Sequence, residues 1–154
     1  MIANRRDRGF TLIEVLIVVT IVAVLAAIVI PQFSSPVQDA MRSTLQHNLH
    51  GMEAQIQLYQ LNHFGRYPTI QNNDLPQLAR ATNASGEIGS AGADYPFGPY
   101  IANGELPQNP FDFSNKVTPV ANPGKKPTNA VGNLGGWQYD ETTGAVWPNN
   151  PDYF

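Results

Sequence analysis

The chain contains no cysteine. That absence excludes disulfide staples, thiolate zinc sites and cysteine nucleophiles. Charge is also sparse: 14% of the 154 residues are charged, with nine Lys and Arg against twelve Asp and Glu. A net charge of −3 supplies no basic stripe for phosphates, so nucleic acid is not an expected partner. Positive charge is missing over one long interval, because no Lys or Arg occurs between Arg8 and Arg42. No Ser/His/Asp grouping, glycine-rich phosphate loop or paired-carboxylate site stands out, so the expectation is a protein that is not an enzyme.

Residues 9–33 fill most of that interval. They read GFTLIEVLIVVTIVAVLAAIVIPQF and follow the basic cluster Arg5, Arg6 and Arg8. Val15–Ile30 is apolar apart from Thr20, and with Phe10–Glu14 it reaches about 20 residues, enough to cross a bilayer. Arginines before the run and none soon after place the N-terminus in the cytoplasm and the rest outside it. The one acid in the run is Glu14. A carboxylate in such a helix costs roughly 2.5–3.5 kcal/mol on insertion scales. An anchor or export signal has no need of it, so Glu14 requires a separate role.

This N-terminus resembles that of type IV pilins and of the pseudopilins of type II secretion systems. Gly9-Phe10 resembles the prepilin peptidase cleavage site, Thr11-Leu12-Ile13-Glu14 places the acid at the fifth mature residue, and Pro31 falls where many pilins kink their helix. Loss of the leader, residues 1–9, removes three arginines and Asp7 and takes the net charge from −3 to −5. The resemblance implies cleavage after Gly9 by a membrane peptidase, where glycine presents no side chain to a tight site. It also implies N-methylation of Phe10. Glu14 would then pair with the Phe10 amine of a neighbouring subunit. In a low dielectric, an offset that leaves either charge unpaired is penalised, so the pair sets register. Simpler readings are a signal peptide cleaved near Ala26-Ala27, a plain anchor, or a Glu14 that snorkels to the headgroups.

Downstream, Pro31 and Pro36 interrupt the pattern and predict a kink or local unwinding. Val37, Met41, Leu45, Leu49, Met52, Ile56 and Tyr59 then recur every three or four residues, one stripe of an amphipathic helix. Gly65 is a natural stop, followed by Pro68. The expected organisation is a leader at 1–9, a transmembrane and filament-core helix at 10–30, an amphipathic helix at 31–64, and a loop-rich periplasmic head at 65–154. The fold class is α+β and pilin-like, a long N-terminal helix with a small antiparallel sheet packed on its C-terminal half.

Within the head, Leu75–Ala81 predicts a short helix. Pro99–Ile101 and Glu105–Leu106 around Asn103-Gly104 predict a hairpin. Trp137–Tyr139 and Ala145–Trp147 predict a second, with Trp137, Tyr139 and Trp147 in its core. Residues 114–135 read as a loop. Leu58–Thr69, the Leu106–Phe111 stretch and Gly135–Asp140 resemble segments of the major, G-type pseudopilin. That resemblance implies a subunit of a type II secretion pseudopilus that pushes exoproteins across the outer membrane. Its partners would be copies of itself, minor pseudopilins, the prepilin peptidase and an inner-membrane assembly platform with its ATPase. The nearest alternative is a pilus subunit for adhesion, motility or DNA uptake. An alternative of another class is an exported or anchored binding domain.

Two candidate metal sites remain. His47, His50 and Glu53 share helical spacing, though a solvated polar face explains them more simply. Asp112, Asn115, Asp140 and Asp152 offer oxygen ligands. The G-type resemblance implies a structural calcium there, whereas the residues alone read as turn formers. No other cofactor is expected. Asn83-Ala84-Ser85 fits a glycosylation sequon, a pattern common by chance.

Overall fold

The computed structural model describes residues 10–153, and the side chains of all of these except 28–35 and 151. The leader and Gly9 lie outside the described residues. Helix α1 runs from Leu12 to Asn62 and is assigned as helix without a break through Pro31 and Pro36. The local unwinding that two prolines suggested is therefore absent. The chain forms two compact units, divided within this helix between Ala40 and Met41.

In the first unit the large apolar side chains from Leu12 to Leu25 are all substantially exposed, 84% at Leu12 and 57% at Leu25. The span expected over 10–30 is described at side-chain level only as far as Ala27. From Leu12 that is roughly 24 Å of helix, short of about 30 Å of hydrocarbon. Among the described residues no helix is long and apolar enough to cross a membrane.

The second unit is built on the apolar stripe of α1. Leu45, Met52, Ile56 and Tyr59 are buried and Leu49 is half-buried. The stripe continues one turn further than its apolar residues, to a fully buried His63. The helix ends as its glycine predicts: Gly65 N–H donates to the Gln60 carbonyl at 2.9 Å, with φ +81° at Gly65.

Opposite the stripe lie α2 (Pro76–Ala79) and two small sheets. Strands β1 (Ala81–Thr82) and β2 (Ile88–Gly89) pair antiparallel. The other sheet has the order β3 (Val117–Pro119), β4 (Trp137–Tyr139), β5 (Val146–Pro148). Hairpin β4–β5 matches the expectation from sequence, with Gln138 opposite Trp147. Its inner face presents Trp137, Tyr139 and Val146, which pack with Val117, Leu75, Leu78 and Leu106 against α1. Trp147 stands half-buried on the other face rather than in this core. The polar ends of Trp137 and Tyr139 are satisfied. Trp137 Nε1–H donates to the Pro107 carbonyl and Tyr139 O–H to that of Pro68.

Two expectations are corrected. Residues 114–135 are not all loop, because β3 lies within them and pairs parallel to β4, making the sheet mixed. Gly136 permits this approach: a Cβ there, at φ +73°, would stand 2.2 Å from the Lys116 carbonyl oxygen. The hairpin around Asn103-Gly104 does not form. Tyr100 and Ile101 N–H instead donate to the Leu78 carbonyl, docking that segment on the end of α2.

Candidate assembly site

Glu14 is the centre of the candidate site. It occupies the first turn of α1, and Thr11 immediately precedes the helix. The two residues bond reciprocally. Glu14 Oε2 accepts from Thr11 N–H at 2.8 Å and from Thr11 Oγ1 at 2.7 Å, while Glu14 N–H donates to Thr11 Oγ1 at 3.3 Å. This is a capping box. Thr11 stands at the N-cap and Glu14 three residues on, satisfying helix-end donors that would otherwise be orphaned. The spacing Thr-x-x-Glu was in the sequence but was not read as a cap. It signals one local use for the acid that the family resemblance had not suggested.

Phe10 sits immediately before this cap and is 84% exposed. The structure thus places Phe10 and Glu14 together at the helix start. Around and beyond them Leu12, Ile13, Val15–Val19, Ile21, Val22, Val24 and Leu25 point outward on every side. Thr20 disturbs this sheath little, since its hydroxyl returns to the Ile17 carbonyl at 2.8 Å. Apolar side chains exposed all round a helix require a cover of lipid or protein.

The loop carboxylates are spread over separate turns. Asp112 accepts from Ser114 N–H on Oδ1 and from Gly136 N–H on Oδ2, both at 2.9 Å. Asp140 accepts from Thr142 N–H and Oγ1 on one oxygen and from Gly124 N–H on the other. Burial raises the Asp140 carboxyl, but the bonds from Thr142, Gly124 and Thr143 outweigh it and hold the group at about 2. Asn115 is half-buried and Asp152 exposed. His47 and His50 are exposed and Glu53 half-buried on α1. Among the described residues, no three His, Cys, Asp or Glu side chains are grouped to hold a metal ion. Asn83 of the sequon folds its side chain onto its own turn, accepting from Ser85 and Glu87 N–H.

The family model of the prokaryotic N-terminal methylation motif matches residues 4–30. Type II secretion system core protein G of Klebsiella pneumoniae is 35% identical over 107 residues, covering 70% of this chain and 71% of that protein. The chain belongs to the type II secretion system core protein G family. It is a pseudopilin, a subunit of that secretion system. Core protein G of Dickeya chrysanthemi is 30% identical over 122 residues, covering 79% of this chain and 74% of its own length. A fimbrial protein of Neisseria meningitidis is 34% identical over 84 residues, 54% of this chain and 48% of that protein. No solved structure matches the chain. The methylation motif and the core protein G relatives together imply processing by a peptidase and assembly into a type II secretion pseudopilus.

Proposed function

We propose that the chain is cut after Gly9, methylated on Phe10 and polymerised from the inner membrane into a short periplasmic filament. It crosses the membrane once, with its N-terminus in the cytoplasm. Copies of itself cover the apolar sheath once lipid is left behind. Glu14 exchanges its bonds to Thr11 for the Phe10 amine of a neighbour. Minor pseudopilins, an inner-membrane platform and an assembly ATPase act on it from outside, and the filament drives exoproteins across the outer membrane. The role is structural, with no catalysis by this chain and no obligatory cofactor. The observation that supports this most is the sheath of outward apolar side chains beginning at Leu12 and broken near its start by Glu14.

The first test is mass spectrometry of the mature N-terminus, with and without co-expressed prepilin peptidase. N-methylated Phe10 in the presence of the peptidase is expected. A terminus near Ala27, or an intact Met1 with active peptidase, would overturn the reading. Substituting Glu14→Gln is expected to leave cleavage intact and to reduce sheared filaments at least tenfold.

A further inference from the structure

Two aromatic residues of the second unit hold a backbone conformation that bulky side chains rarely adopt. Phe64 and Phe113 both have φ +56°. Positive φ in a bulky residue is an outlier, and Gly or Asn occupies that region with less strain. Neither ring is packed within the head, since Phe64 is 83% and Phe113 69% exposed. The fold accounts for the two backbones but not for the two rings. Phe64 lies in the turn that leaves α1 at Gly65. Phe113 closes a loop, in which its N–H donates to the Asn109 carbonyl at 2.8 Å and Asn109 N–H to that of Ser114 at 2.9 Å. A strained aromatic left exposed marks a surface that something else covers.

Each ring has apolar company. Leu58 and Leu61, three residues apart on α1, are exposed just before Phe64. Leu134 is exposed by the Phe113 loop, where Ser114 Oγ donates to the Leu134 carbonyl at 2.7 Å. The two patches lie at opposite ends of the second unit. Beside the Phe113 loop, the Gln108 carbonyl accepts from Asn48 Nδ2 at 2.9 Å, whereas Phe64 follows the end of α1 at Asn62. Asn48 to Asn62 is about 21 Å of helix. Strand β4 runs the same way. Gly136 before it donates to Asp112 of the loop, and Tyr139 at its end bonds the Pro68 carbonyl just beyond α1. The ends also differ in charge. Arg66 is exposed near Phe64 and forms no ion pair among the described residues. Asp112 is exposed next to Phe113, and each of its oxygens accepts one N–H and retains a lone pair. Asp152 and Lys116, also exposed towards this end, offset each other.

Two ends that match in apolar character and oppose in charge fit a second copy of the chain. Like-on-like contact would close a dimer and bring Arg66 against Arg66, whereas end-to-end contact repeats without closing. We propose that in the filament the Phe64 end of one head docks on the Phe113 end of another. Phe64 and Leu61 then cover Phe113 and Leu134, and Arg66 meets Asp112. This rests on the filament reading and gives it a contact between heads. A few side chains on each surface fall short of the roughly 20–30 residues of a stable interface. The contact therefore adds to the α1 sheath and does not hold isolated heads together.

The test uses the full chain co-expressed with a type II secretion apparatus, with sheared filaments treated with a short bismaleimide. The chain has no cysteine, so wild-type filaments provide the blank. The Phe64→Cys, Phe113→Cys double variant is expected to give a ladder of dimers, trimers and higher multimers, and neither single variant a ladder. Strong dimers from a single variant would show like-on-like contact and overturn the proposal. So would double-variant filaments that give no ladder. If the cysteines themselves halt assembly, charge exchange decides. Phe64→Asp and Phe113→Arg are each expected to reduce filaments at least tenfold at unchanged Tm, because both side chains are exposed. Combining them is expected to restore filaments at least fivefold over either alone. Wild-type amounts from a single variant, or no recovery in the combination, would overturn the proposal. Wild-type chain that is methylated on Phe10 yet forms no filament would overturn the filament reading itself, and this contact with it.

Discussion

Asp140 shows how one carboxylate organises a loop-rich head. It caps the hairpin turn through Thr142 and, through Gly124, fastens the strap of residues 120–131 that leaves β3. Removing it in Asp140→Ala leaves these donors without an acceptor and is expected to cost about 2 kcal/mol. Its folded pKa of about 2 lies below the unfolded value near 3.9. The ionised form therefore stabilises the fold above that pH, and the contribution fades as pH falls towards about 2. Thermal melts of wild type and Asp140→Ala should differ above pH 4 and converge towards pH 2. His63 makes the second residue-scale case. Its ring stacks on Tyr59 at 3.7 Å, and its nitrogens contact the Tyr59 carbonyl at 2.8 Å and Thr82 Oγ1 at 3.0 Å. His63→Ala empties a core site and strands the Thr82 hydroxyl, so a loss of about 2–4 kcal/mol is expected in urea unfolding. His47→Ala and His50→Ala, on exposed positions, should change stability by less than about 0.5 kcal/mol.

At the scale of elements, the β4–β5 hairpin depends on its turn. Gly144 sits at φ +72°, and a Cβ there would stand 2.4 Å from the Tyr67 ring and 3.2 Å from Ile56. Gly144→Ala combines backbone strain with a clash against α1, and should lower stability by roughly 2–4 kcal/mol, read as a fall in Tm. The hairpin was legible in the sequence because all its signals are local: alternating aromatics around an Asp-to-Gly turn. Helix α1 was legible for the same reason, through the spacing of Leu45, Met52, Ile56 and Tyr59. Strand β3 was not, because a parallel pairing with β4 has no turn to announce it, and the clue Val117-Thr118 is short. The segment around Asn103-Gly104 misled because a good turn dipeptide does not ensure that its flanks pair. Here the Leu78 carbonyl met their backbone donors instead. At the helix start, the Thr11–Glu14 cap was readable but overshadowed by a more specific motif carried by the same residues.

For the whole molecule, the division between Ala40 and Met41 separates two kinds of surface. Before it, apolar side chains from Leu12 to Leu25 are more than half exposed. After it, a core of α1, α2 and the β3–β4–β5 sheet closes on itself. A fragment of residues 41–154 is expected to be monomeric without detergent and to unfold cooperatively, whereas the full chain should aggregate when detergent is removed. Light scattering after size-exclusion chromatography checks both. The sheet order also sets a sequence of events in time. Strands β4 and β5 are joined by residues 140–145, but β3 reaches β4 only across residues 120–136. Closing the longer loop loses more chain entropy before any contact repays it. The hairpin is therefore expected to form early, with β3 docking behind it and the strap settling last. The same order reversed makes the strap the head's earliest point of opening, so its amides should exchange with deuterium well before those of Trp137–Tyr139.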